Sequence, residues 1–140
     1  MPDNTNKIKH LEMIEEIIKR MASNSFAIKG WAVAIVSAII AYGKDQTNWK
    51  YYITAFIPLF VLHCLDSFYL YIERKYLDLY EKVRMKKNTQ IDFDMNTDYF
   101  NKDNKMKLYI KSFLSFSVML FYPVLGLLVL VIMYINIMVK

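Results

Sequence analysis

Residues 116–139 read FSVMLFYPVLGLLVLVIMYINIMV, twenty-four positions without a charge. As a helix rising about 1.5 Å per residue, this run is long enough to cross a hydrocarbon core of roughly 30 Å. Two further apolar blocks lie upstream, Phe26–Gly43 and Tyr51–Ile72. The apolar residues are thus gathered into three runs rather than spread as a soluble core requires. The chain has 140 residues, enough for one domain, and is 56% hydrophobic with only three Gly and three Pro. Few breakers amid much Ile, Leu, Met and Lys predict long helices. The expected fold is an all-α membrane protein with three transmembrane helices, the first two forming a long antiparallel hairpin that extends into a cytoplasmic stalk.

The segments follow from the blocks. A cytoplasmic amphipathic half of helix 1 occupies 1–25, the first span 26–43 and an outer turn 44–50. The second span covers 51–72, the cytoplasmic half of helix 2 covers 73–87, and a cytoplasmic loop covers 88–104. A third helix with its span takes 105–140. A secretory signal peptide does not fit, because the first apolar block follows 25 mostly polar residues. The lone Cys64 lies within the second block and reads as a reduced packing residue.

Charge sets the orientation. Fifteen of the eighteen Lys and Arg lie up to Lys29 or between Arg74 and Lys111, leaving Lys44, Lys50 and Lys140 for the other side. This positive-inside bias places the N-terminus and central loop in the cytoplasm and the C-terminus outside. The net charge of +5 is explained by topology and requires no nucleic acid. Tyr42, Trp49, Tyr51, Tyr52 and Tyr134 fit the outer interface, with Tyr69, Tyr71 and Trp31 at the inner one.

Outside the spans the apolar positions keep a 3–4 spacing. Leu11, Ile14, Ile18, Met21, Ser25 and Ile28 form one seam, and Tyr69, Ile72, Tyr76, Leu79 and Val83 another. Continuous helices are predicted from about Asn6 to Tyr42, turning at Gly43, and from about Trp49 to Lys86, each roughly 55 Å long. Two facing seams favour a stalk over helices lying flat on the membrane. Residues 88–104 set Asp92, Asp94, Asp98 and Asp103 among Asn, Thr and Phe without EF-hand spacing; they read as a ligand loop or a solvated connector.

Ionisable groups inside a membrane are costly and functional by default. Lys29 and Asp66 fall at matching depth, roughly 20–24 Å from the outer end, and are expected to pair across the hairpin. His63 lies one turn outward of Asp66 and completes a candidate polar cluster or gate; the alternative is Lys29 snorkelling to the inner headgroups. Gly30, Ala34 and Ala38, flanked by Ala27, Ser37 and Ala41, give the first span a close-packing face, within or between subunits. On the third helix Ser112, Ser115, Met119, Tyr122, Gly126, Val129, Met133 and Asn136 form one stripe. Of these, Ser112, Ser115, Met119, Tyr122, Gly126 and Asn136 are pore-lining candidates, the alternative being packing on the hairpin. Pro123 predicts a kink.

At the end of the second helix, Arg74, Lys75, Tyr76, Tyr80, Lys82, Arg84, Lys86 and Lys87 are ligand-binding candidates for an anionic signal. Dipole compensation and anionic lipid explain the same basic cluster. With two distant His and one Cys no metal-ligand spacing exists, and no Gly-rich phosphate loop or Ser/His/Asp set appears. The sequence therefore points away from an enzyme, a metal and a cofactor.

Three stretches, Arg20–Ala41 (RMASNSFAIKGWAVAIVSAIIA), Leu65–Tyr80 (LDSFYLYIERKYLDLY) and Phe93–Asn96 (FDMN), resemble a group of small bacterial inner-membrane proteins. Some of that group resemble membrane effectors of antiphage systems, in which a nucleotidyltransferase product controls a channel-like partner. The resemblance implies a bacterial inner-membrane location and an oligomeric ion channel regulated by a nucleotide or oligonucleotide. A homo-oligomer, with a tetramer favoured, follows from the inability of three spans to enclose a pore alone. The competing class is a non-conducting membrane anchor or scaffold that recruits a soluble partner through its stalk.

Overall fold

The computed structural model describes residues 4–43, 49–97 and 102–138, with the side chains of 102–104 excepted. Among them there is helix and no strand: α1 (Thr5–Gly43), α2 (Trp49–Ile53), α3 (Phe56–Met85), a 3₁₀ turn (Asn88–Gln90), α4 (Lys102–Phe113) and α5 (Phe116–Met138). α1, the combined α2–α3 segment and α5 are each long and apolar enough to cross a membrane. Most of the turn expected at 44–50, together with Asp98, lies outside the described residues.

α1 runs for 39 residues because nothing between Thr5 and Gly43 breaks it except Gly30, a residue a helix tolerates at about 1 kcal/mol. Its buried side is His10, Ile14, Met21, Ile28, Ala32 and Val36. The first part keeps the seven-residue repeat of the predicted seam; beyond Ile28 the spacing becomes four. Two clusters hold the bundle. Ile14 packs with Leu79 and Val83, joined by Leu11, Ile18, Tyr76 and Tyr80. Ala32, Val36, Tyr52, Ala55, Leu59, Val118, Tyr122 and Val129 form the other. Burying a Leu or Val from water contributes roughly 1.5–3 kcal/mol, whereas helices in lipid associate through close packing and hydrogen bonds.

Two expected helices are divided. Helix 2 is broken at Thr54 and Ala55, where the Thr54 and Ala55 N–H groups donate to the Tyr51 and Tyr52 carbonyls (both 3.2 Å) in tighter i→i+3 bonds. Pro58 has no N–H for the Thr54 carbonyl and its ring crowds that oxygen, so the helix restarts there. Helix 3 is broken at Leu114–Ser115, and Pro123 lies inside α5. Ser115 N–H turns back to Ser112 O (3.1 Å), and the Ser115 carbonyl receives Met119 N–H (2.8 Å) as the new helix begins.

Gly43 ends α1 by close approach. A Cβ there would lie 2.8 Å from Tyr51 Cε1 and 3.1 Å from Tyr52 Cε1. Tyr52 Oη donates to Gly43 O at 2.7 Å, and Asn136 Nδ2 donates to Tyr52 Oη at 2.7 Å. The far end of α5 is thereby tied to the close of α1.

Candidate functional site: a buried ion pair between two apolar helices

Lys29 Nζ lies 2.6 Å from Asp66 Oδ2, with the Asp66 side chain fully buried and that of Lys29 18% exposed. Ser25, one turn before Lys29, donates to Asp66 Oδ1. The Lys29 ammonium also donates to Ser25 Oγ at 2.9 Å. The i,i+4 spacing of Ser25 and Lys29 puts both on the face of α1 that meets α3. Beyond the ammonium, Oδ2 has no hydrogen-bond partner, so the pair is held by charge more than by a full donor set. Removing one member of a buried pair costs about 3–5 kcal/mol, because the survivor is left uncompensated. Ser25 is the participant that sequence reasoning placed only in the seam; a hydroxyl at a seam position, one turn from an intramembrane Lys, was its signal.

His63 is beside this network but not within it. Its ring meets Phe113 at 4.3 Å and Tyr122 at 5.1 Å between centroids, both edge-on. Its Nε2 is buried without a partner. The expected three-residue cluster is thus a Ser25–Lys29–Asp66 network on the α1–α3 contact and a separate His63 facing α4 and α5.

The stripe on the third helix is taken up largely within the chain. Ser112 is fully buried, and Arg74 reaches it through Nη1 (3.2 Å) and Ser115 through Nη2 (3.1 Å). Tyr122 Oη donates to Leu62 O at 3.2 Å, Gly126 faces the Phe56 ring, and Asn136 bonds Tyr52. Only Met119 of the six is exposed. In this arrangement the stripe packs on the hairpin, since its small and polar members fit polar atoms of α2 and α3.

The basic-aromatic candidates are drawn apart in the same way. Arg74 points to the α4–α5 junction, and Tyr76 and Tyr80 pack on the Ile14 cluster. Lys75 lies over the Tyr71 ring at 5.7 Å, Lys82 pairs with Asp78 and Arg84 with Glu81. Lys86 binds Asp92 at 2.9 Å, and Lys87 is exposed. Neighbouring carboxylates pair with three of the six cations, and the eight residues do not form one surface.

Instead, residues 86–97 strap the start of α1 to the end of α3. Lys7 Nζ donates to Lys86 O (2.9 Å), and His10 Nε2 donates to Asp94 O (3.2 Å). Asn4 and Asn88 are also bonded. Phe93, at φ 53°, stacks its ring 5.3 Å from that of His10. The Lys86 ammonium holds the Asp92 carboxyl below the usual carboxylate range. Among the described residues no group of His, Cys, Asp and Glu is arranged to hold a metal ion.

No protein-family model, curated protein or solved structure matches the chain.

Proposed function

We propose that the chain is a homo-oligomeric membrane effector whose copies together form an ion-conducting path controlled from the cytoplasm. The observation that carries this reading is the buried Lys29–Asp66 pair inside otherwise apolar helices. Such groups are costly in lipid and are kept where ions, protons or gating charge are handled. A second feature supports assembly. Ala27, Gly30, Ala34, Ser37 and Ala41 lie on one exposed face of α1, and a Cβ at Gly30 would meet nothing within 4 Å. This face is spare for α1 of another copy, and the path then runs beside α1 rather than along the occupied α5 stripe. The strap at 86–97 is the cytoplasmic handle, and a nucleotide or oligonucleotide is the first signal to test.

The test is current across a planar bilayer containing the purified protein, with and without short oligonucleotides on the side of the strap. Discrete currents altered by Asp66→Asn support the reading. A silent bilayer with verified, oligomeric protein overturns it in favour of a non-conducting scaffold, a reading favoured by the intrachain use of the α5 stripe.

A further inference from the structure

We infer that α4 lies in the headgroup layer of the leaflet on the strap side, where Lys107 and Lys111 bind the phosphates of anionic phospholipid. Its depth follows from its neighbour. α5 has 23 residues, about 34 Å of helix, and crosses a hydrocarbon core of roughly 30 Å without help. α4, on the far side of the Leu114–Ser115 break, therefore begins where the hydrocarbon ends. Its packing on α3 agrees. The Tyr109 ring meets that of Tyr71 edge-on, 5.8 Å between centroids, and tyrosine is enriched at the membrane–water boundary.

The outer face of α4 has the pattern of a helix lying in that boundary. Its inner side is Leu108, Tyr109, Ser112 and Phe113, buried or half-buried. On the outer side Met106, Ile110 and Leu114 follow one another at i,i+4 and are 62%, 49% and 57% exposed. Lys107 and Lys111 make a second exposed row beside them. One depth satisfies both rows, with the apolar side chains in acyl chain and the ammonium groups among phosphates.

Charge selects the lipid. At the end of α3, Lys82, Arg84 and Lys86 each have a carboxylate. Among the described residues Lys107 and Lys111 have no ion pair. Arg74, bonded to Ser112 and Ser115 at the same corner, has none either. Uncompensated cations therefore gather at α4, where an anionic headgroup supplies the net charge that a zwitterionic one lacks. A second copy docked there about a two-fold axis would set these lysines against their own images. The inference rests on the apolar helices crossing a membrane and not on conductance by the assembly.

The experiment uses the full chain with Cys64→Ser and Ile110→Cys, in nanodiscs of phosphatidylcholine mixed with phosphatidylglycerol. A spin label on the new cysteine should be open to oxygen and shielded from a water-soluble nickel chelate. A label placed instead at Met13, exposed on the first part of α1, should be open to the chelate. A bimane at position 110, quenched by brominated lipid, should prefer phosphatidylglycerol over phosphatidylcholine. That preference should fall about fivefold in Lys107→Gln or Lys111→Gln and weaken in about 0.5 M NaCl. Lys82→Gln, whose lysine is paired with Asp78, should leave it unchanged. A label open to the chelate puts α4 in water, and one closed to both reagents puts it against protein; either overturns the inference. Equal quenching by the two lipids, or a preference indifferent to both α4 lysine variants, overturns it as well.

Discussion

Asp66 is fully buried, and its charge is answered by one ammonium and one hydroxyl. Asp66→Asn leaves Lys29 without its counter-charge at the helix contact. Because Lys29 is partly exposed and its long stem can carry the ammonium toward the headgroups, the loss should sit at the lower end of the range, about 3 kcal/mol. Reversible unfolding in mixed micelles measures it, and Lys29→Met combined with Asp66→Asn should recover part of the loss. Asp92 gives a pH prediction. Its carboxyl titrates below its unfolded value because Lys86 holds the charged form. The contribution is therefore present at neutral pH and is lost as pH falls through the depressed folded-state value. Hydrogen-exchange protection of residues 86–97 should fall in acid, and Lys86→Met should remove that dependence. Lys29, Asp66 and His63 were readable from sequence as rare polar residues in apolar runs. The Lys29–Asp66 pairing followed from their matching depth, but the separation of His63 did not, because helix rotation decides which neighbour each residue meets.

At the scale of elements, the breaks were the hardest features to read. Both were expected to be continuous helix, and Pro123 was the expected site of distortion. Pro58 instead sets the α2–α3 break, because a Pro near a helix start ends the preceding ladder at little cost. Pro58→Ala should join α2 to α3, and hydrogen exchange should report slower amides at 54–58. At the other break Arg74 bonds both serines of the junction. Hydrogen bonds to a charged group are worth about 1.5–3 kcal/mol each at most, so Arg74→Ala should destabilise the α4–α5 corner by roughly that amount. Unfolding followed by a fluorophore at Leu114 would detect it.

Across the whole molecule, the proposed homo-oligomer would use the exposed small-residue face of α1. In a Cys64→Ser background, Ala34→Cys should give a disulfide-linked dimer under mild oxidation in membranes, while a cysteine at Leu128, exposed on α5, should give far less. The reverse pattern would move the interface to α5. Small side chains at i,i+4 predict close helix contact, but the sequence left open whether the partner was inside the chain. The structure assigns the inside contact to Ile28, Ala32 and Val36, one helical face away.

The sequence by itself determined that the chain is helical, that three segments match a membrane in length and polarity, and that the first two helices each carry an apolar seam. These properties depend on periodicity and composition, which local spacing records. Only the tertiary structure decided that the α5 stripe turns inward, that Ser25 completes the ion pair and that His63 stands apart from it. It also decided that Lys82, Arg84 and Lys86 pair with Asp78, Glu81 and Asp92. Those outcomes depend on helix rotation and on which buried polar atoms find partners, quantities set by packing between distant parts of the chain.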